Sequence, residues 1–261
     1  MFQELFSKCP LWLFLLSIVA LFWGGIELGY RIGIWRHHLV PGERDQPVGA
    51  MVASILGLLA LVLGFTFSLA AARFEARRQV VLEEANAVGT TYLRARILPE
   101  PHRTAIEDRL REYVAVRLAS PSHPERLAES LAKSDQLQEE IWQHAIKLSE
   151  QNPTSITIGL FVQSLNNLID VGAKRVLVGV RSQIPWVIWF VLLSLSIVSM
   201  ASVGYQAGLT TTKRSPAMVA LAMTFALVVF LVADLDRSHQ GLLRVSQQAM
   251  LDVQKSIQAT R

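Results

Sequence analysis

The chain has 261 residues, of which 51% are hydrophobic, and its mean hydropathy of +0.35 is typical of an integral membrane protein. The single cysteine, Cys9, excludes a disulfide framework or a cysteine-based metal cluster within one chain. The net charge of +4 is small and dispersed, so nucleic acid is not expected as a partner.

Four stretches without a charged residue are long enough to cross a bilayer, which takes about 20 residues as a helix. They cover residues 9–26, 46–72, 182–212 and 215–233. The first stretch has a signal peptide as its alternative. Its bulky end offers no small-residue cleavage site, and this favours an uncleaved span.

The distribution of basic residues predicts the orientation of the chain. With four spans, both termini and the region between the second and third spans share one side. That side carries nine Lys and Arg residues near the span ends, against five on the other side. The positive-inside rule therefore places both termini and the central region in the cytoplasm.

The predicted domains follow from these spans. They are transmembrane helices 1 and 2 over residues 1–72, a cytoplasmic helical domain over 73–181, transmembrane helices 3 and 4 over 182–235, and a cytoplasmic C-terminal segment over 236–261.

The central region has helical periodicity and no strand pattern. The second span runs into it without a break, and Pro99 and Pro101 are the first residues that stop a helix. A rod over residues 50–98 would be about 70 Å long, more than twice the thickness of the bilayer core.

Three further helices are predicted in this region. One covers residues 101–119, and the next begins at a capping box over residues 122–125. The last is capped by Thr154 or Ser155 and is predicted to lead into the third span. The predicted fold is thus an all-α integral membrane protein with two spans, a cytoplasmic helical domain and two more spans, in which spans 2 and 3 extend into the cytoplasm. Because this domain is too small to cover every long helix, we expect a homo-oligomer.

The second span carries a stripe of mostly small residues at alternating spacings of four and three. Its members are Ala50, Ser54, Gly57, Leu61, Gly64, Ser68 and Ala71, with Phe65 and Phe67 beside them. One interpretation is close helix packing, for which small residues are typical in lipid, and spacing alone favours it. The other is the wall of a narrow pore with a hydrophobic constriction.

Three arginines, Arg73, Arg77 and Arg78, stand at the foot of this span. They are interpreted either as a cationic mouth that attracts anions or as contacts to lipid phosphates. No charged residue lies inside a predicted span, apart from Glu27 at the border of the first span. This absence argues against an ion-coupled pump.

Asp234 and Asp236 follow the fourth span. In an extended turn they would chelate calcium, but two carboxylates supply few oxygen ligands. Salt bridging to basic groups is therefore the favoured role, so no cofactor is predicted, and calcium is the alternative. His37 and His38 are adjacent and face different ways on a helix, and the other four histidines are scattered without metal-ligand spacing: His102, His123, His144 and His239. No phosphate loop, nucleophile elbow or zinc-protease motif occurs, so an enzyme is not predicted.

Two runs of sequence, residues 63–78 and residues 84–94 followed by Leu98-Pro99, form a recognisable combination. Together they resemble the bestrophin-like family of bacterial membrane proteins. Further matching positions are residues 165–170, Arg175, Ile184-Pro185, Gly204-Tyr205, residues 234–237, Gly241 and residues 245–247. One departure is Ser238, where the family pattern has proline.

The resemblance to bestrophins implies a pentameric anion channel whose second span lines the pore. It identifies Ser54, Gly57, Leu61, Gly64, Phe65 and Ser68 as pore-lining residues and places Asp234 and Asp236 where a calcium clasp begins. The resulting hypothesis is a homo-oligomeric channel of the bacterial inner membrane that is permeable to inorganic anions. A non-conducting scaffold or sensor, which binds a partner through its cytoplasmic helices, is the alternative.

Overall fold

The computed structural model describes residues 10–39, 45–119, 126–210, 215–237 and 241–259, and this part of the chain is almost entirely helical, without strands. Eight α-helices occur in it: α1 (Leu11–Leu39), α2 (Asp45–Ala95), α3 (His102–Ala119), α4 (Leu127–Gln151), α5 (Ile156–Val176), α6 (Trp186–Leu209), α7 (Pro216–Asp236) and α8 (Gln248–Ala259).

The chain divides into two compact units. Unit 1 contains Met1–Arg73 and Gln183–Leu243, and unit 2 contains Phe74–Ser182 and Arg244–Arg261. Five helices in the described ranges are long and apolar enough to cross a membrane: α1, α2, α5 with the turn that follows it, α6 and α7. Because α5 is a fifth candidate, the number of four spans stays a prediction.

The second predicted span is one continuous helix, as expected. α2 has 51 residues and ends at Ala95, three residues before the predicted end at residue 98. The predicted cap of α5 is confirmed, since Ser155 Oγ accepts a hydrogen bond from the backbone N–H of Ile158 at 3.4 Å. The predicted capping box over residues 122–125 lies outside the described residues.

The prediction that α5 leads into the third span as one helix is wrong. After α5 the chain makes one π-helical turn over Leu177–Arg181, and α6 begins only at Trp186. Pro185 has no N–H for a helical hydrogen bond and disfavours the helical conformation of Ile184 before it. The free N–H of Ile184 instead donates to Asp236 Oδ1 at 2.9 Å.

Unit 1 is held by a close contact between α1 and α6. A Cβ atom built on Gly29 would lie 1.9 Å from the carbonyl oxygen of Ala201, and one on Gly204 would lie 2.0 Å from that of Ile26. One turn further along, Gly33 and Gly208 approach the opposite backbone in the same way. Small residues four apart allow such an approach in lipid.

The sequence interpretation missed this contact because it ended the apolar part of the first span before Glu27. As the favourable four-residue spacing of Glu27 and Arg31 predicts, α1 continues through this ion pair, which has a length of 2.9 Å, to Leu39. Glycines beyond residue 26 were therefore not considered as packing positions.

Unit 2 has its own hydrophobic core, formed by the C-terminal half of α2 together with α3, α4, α5 and α8. A buried polar network lies beside this core. Glu84 accepts hydrogen bonds from the Tyr113 hydroxyl at 2.6 Å and from Arg117 Nε at 2.7 Å, and it also pairs with Arg175. Arg175 in turn donates to Gln247 Oε1 at 2.9 Å. One carboxylate therefore connects α2, α3, α5 and the segment before α8.

The charge state of Glu84 follows from its neighbours. Burial raises the pKa of Glu84, but the positive charges of Arg175 and Arg117 outweigh burial, and the pKa lies below its ordinary value. The carboxylate is therefore ionised at neutral pH. Its stabilising contribution is complete above the unfolded-state pKa and is lost as the pH falls below that value.

We predict that Gly29→Ala destabilises unit 1 by at least about 2 kcal/mol, because the new methyl group meets a backbone carbonyl that cannot move aside. Gly24→Ala is the matched control, since a Cβ at exposed Gly24 has no neighbour within 4 Å. Thermal unfolding in detergent measures the difference. Equal unfolding temperatures for the two variants would contradict the contact.

We predict that Glu84→Gln destabilises unit 2 by about 3 kcal/mol or more, because two arginines lose their buried counter-charge. The adjacent Glu83 pairs with Lys174 at the surface at 2.7 Å, so Glu83→Gln should cost at most about 1 kcal/mol. Limited proteolysis within unit 2 over a denaturant series compares them. A similar loss for both variants would show that the network has no special weight.

Candidate functional site

The predicted pore-lining residues share one face of α2. In the chain by itself this face is exposed at every predicted position: Ser54, Gly57, Leu61, Gly64, Phe65 and Ser68. The opposite face of the helix is buried at Val52, Leu59, Leu63, Thr66 and Ala70. The small stripe therefore points away from the rest of its own unit.

The glycines of the stripe show how open this face is. A Cβ built on Gly57 or on Gly64 has no neighbouring atom within 4 Å. Among the described residues, the stripe is thus not a contact between helices of one chain. This removes the intramolecular form of the packing interpretation and leaves a second copy of the chain, lipid or water as what covers the stripe.

Two large side chains project from this small face. The exposed fraction is 55% for Leu61 and 68% for Phe65, and the two side chains lie about 40° apart around the helix. Phe67 is less exposed and lies about 120° from Leu61, near the edge of the exposed arc. The Ser54 hydroxyl donates a hydrogen bond to the carbonyl oxygen of Ala50 at 2.9 Å. The Oγ atom of Ser54 can still accept a hydrogen bond.

The three arginines that the sequence interpretation grouped as a mouth do not share one exposed surface, because Arg73 and Arg77 lie on one face of α2 and Arg78 lies on another. Arg77 is only 4% exposed, and Arg73 is half-buried. Arg78 is exposed and pairs with Glu75 at 3.3 Å. On a regular helix, Arg77 points about 160° away from Leu61, a displacement that a helical wheel would have shown.

Both carboxylates after the fourth span are buried and bind backbone N–H groups. Asp234 accepts from the N–H groups of Leu242 at 2.7 Å and Leu243 at 3.0 Å, and Asp236 accepts from that of Ile184 at 2.9 Å. Asp234 therefore holds Leu242 and Leu243 against the end of α7, and Asp236 fixes the start of α6. The predicted salt bridges of Asp234 and Asp236 to basic groups stay a prediction, and these backbone amides are a second kind of structural partner.

Gly241 lies against Asp234 with little room to spare. A Cβ on Gly241 would lie 2.9 Å from Asp234 Oδ1 and 3.1 Å from the carbonyl oxygen of the same residue. Within the described ranges, no group of three or more His, Cys, Asp or Glu side chains is placed to hold a metal ion. Ser238, the position of the departure from the family pattern, lies outside the described residues.

Comparison with known proteins identifies the family. The model of the Bestrophin-like domain matches residues 27–250. No curated protein matches the chain.

Solved structures of bacterial membrane proteins resemble the fold closely. A bacterial bestrophin homologue from Klebsiella pneumoniae superposes with a TM-score of 0.67 at 20% identity, over 95% of this chain and 97% of the homologue. A mutated form of a Klebsiella pneumoniae bestrophin homologue gives a TM-score of 0.66 at 16% identity, over 95% and 97% of the two chains.

At these identities the structural likeness concerns the fold, while the family match covers most of the sequence. The all-helical fold and the family match agree with the resemblance seen in the sequence. The chain belongs to the bestrophin-like family.

Proposed function

We propose that the protein is a homo-oligomeric channel of the bacterial inner membrane, permeable to inorganic anions, with its pore lined by α2. Membership of the bestrophin-like family supports a membrane channel in general. A pentamer is proposed by analogy with bestrophins. The pore-lining residues are those of the exposed stripe, and the channel is proposed to need no bound cofactor.

The observation that carries the proposal is the uncovered small face of α2. A lipid-facing surface is expected to carry large apolar side chains, as the exposed part of α6 does with Trp186, Phe190 and Val191. The exposed face of α2 carries Gly57, Gly64 and two serines alongside the large side chains of Leu58, Leu61 and Phe65. Such a face suits a narrow, partly polar passage formed where several copies of α2 meet around an axis.

Leu61 and Phe65 would form the narrowest part of this passage. Because they project from a small-residue face, a ring of them gives an apolar neck that excludes water when closed. Resting conductance is therefore expected to be low. Hydroxyls such as that of Ser54 lie at other levels of the same face.

The proposed layout uses α1, α2, α6 and α7 as the four spans and places α5 in the cytoplasm. α5 is the least apolar of the five candidate spans. Its residues Ile158, Phe161, Leu165 and Leu168 are buried in the core of unit 2. It also carries Arg175, which pairs with Glu84 in the buried network. Both termini and unit 2 are proposed to be cytoplasmic, from the distribution of basic residues.

We predict that Leu61→Ser or Phe65→Ser raises anion flux in liposomes, because a hydroxyl in the neck favours wetting. Phe67→Ser is the matched control, since it makes the same substitution at nearly the same depth but away from the stripe. Flux should rise clearly for the first two variants and stay near the wild-type level for the third. Absence of flux for any ion in all four proteins would support the scaffold instead.

We predict opposite effects from the two members of the exposed pair at the foot of the span. Arg78→Gln should lower the preference for anions over cations, and Glu75→Gln should raise it, each by about two- to tenfold at low salt. Reversal potentials in planar bilayers measure the preference. The difference should shrink at high salt because exposed charges are screened. Changes of the same sign for both variants would exclude an electrostatic mouth at this position.

A further inference from the structure

Two histidines that are far apart in the sequence meet in unit 2. His102 is the first residue of α3, and His144 lies in α4. Their Nδ1 atoms are 2.9 Å apart, and the ring centroids are 5.2 Å apart with an interplanar angle of 75°. His102 is only 9% exposed, so this pair is largely shielded from water on one side. His123 and His239 lie outside the described residues.

The histidine pair lies at one end of the hairpin that α3 and α4 form. α3 and α4 pack together and run antiparallel, as their ion pairs show: Lys133 Nζ lies 3.1 Å from Glu112 Oε1, and Arg109 Nε lies 2.7 Å from Glu140 Oε2. Both ion pairs are partly exposed and are individually weak. The histidine pair lies beyond both ion pairs, at the end of the hairpin farthest from the α3–α4 connection.

The chemistry of two facing Nδ1 atoms makes this contact depend on protonation. A hydrogen bond between them needs one nitrogen with a proton and one without. The bond therefore survives the addition of one proton to the pair, but it is lost when both rings are imidazolium. Both Nδ1 atoms are then donors, and two positive charges face each other at short distance.

The surrounding charges oppose protonation. Arg109 from α3 and Lys147 from α4 add positive potential at His144, and Glu140 from α4 opposes them while it is paired with Arg109. Glu100, near His102 in the sequence, is engaged by Arg103 and Thr104. Burial lowers the pKa of His144, and the neighbouring His102 lowers it further.

We propose that His102 and His144 form an acid-sensitive latch, which holds α3 to α4 while at least one ring is neutral and releases that end of the hairpin when both are protonated. Because burial and the neighbouring ring disfavour the charged form of His144 in the folded state, the stabilisation is present above the ordinary histidine pKa of about 6.5 and is lost as the pH falls below it. This regulation is independent of whether the protein conducts ions.

Hydrogen–deuterium exchange of the full-length protein in detergent tests the latch directly. Exchange is compared at about pH 7.5 and about pH 5, after correction for the intrinsic pH dependence of the rate. We expect amides around the buried residues Ile106 and Ile141 to lose about tenfold in protection at the lower pH. Unchanged protection in the wild type would overturn the proposal.

Substitutions assign the effect to the pair. Glutamine cannot become charged, but its side chain can still form a hydrogen bond with the ring of His102. His144→Gln should therefore keep the amides of the hairpin protected from exchange at both pH values. His37→Gln, which removes a histidine from α1, should retain the wild-type response. A response that persists in both His144→Gln and His102→Gln would refute the latch. Ring NMR of the wild-type histidines gives an independent measurement: two coupled titration steps support the latch, and two independent steps at ordinary values contradict it.

Discussion

The backbones of α1 and α6 touch because glycine stands on both sides of their contact, and the packing of unit 1 depends on this approach. With Gly29 beside the carbonyl of Ala201 and Gly204 beside that of Ile26, neither position has room for a methyl group. Association of helices in lipid gains little from apolar burial, so close van der Waals packing between backbones is a principal source of stability. The small residues of α1 and α6 therefore pack against each other, whereas no other part of the described chain covers the small face of α2.

Unit 2 depends on a different interaction. Its helices surround an apolar core, but Glu84 adds a directional constraint because a buried carboxylate must be satisfied by particular partners. Tyr113 and Arg117 from α3 and Arg175 from α5 meet this requirement. The same rule explains the buried carboxylates of unit 1, since Asp234 and Asp236 are satisfied by backbone N–H groups that the helices do not use.

Local sequence patterns predict the helices well. They do not predict which residues that are far apart in the sequence come into contact. α2 was predicted as one helix because no breaker occurs inside it, and the cap at Ser155 follows from a local hydrogen bond. The break before α6 was readable from Pro185 but was given too little weight. The glycine contact of α1 with α6 and the pairing of His102 with His144 join residues far apart in the sequence. For the site, the stripe was predictable from its spacing, whereas the burial of Arg77 depends on tertiary packing.

The central claim is that the small face of α2 lines a water-filled passage, and thiol accessibility in membranes tests it most directly. In a background in which Cys9 is replaced by serine, Ser54→Cys is compared with Ser17→Cys on α1. Both serines are exposed in the single chain, and both bond the carbonyl four residues earlier. A small, charged, membrane-impermeant thiol reagent should modify the cysteine at position 54 and spare the one at position 17. Protection of both positions, or equal reaction at both, would contradict a pore along α2.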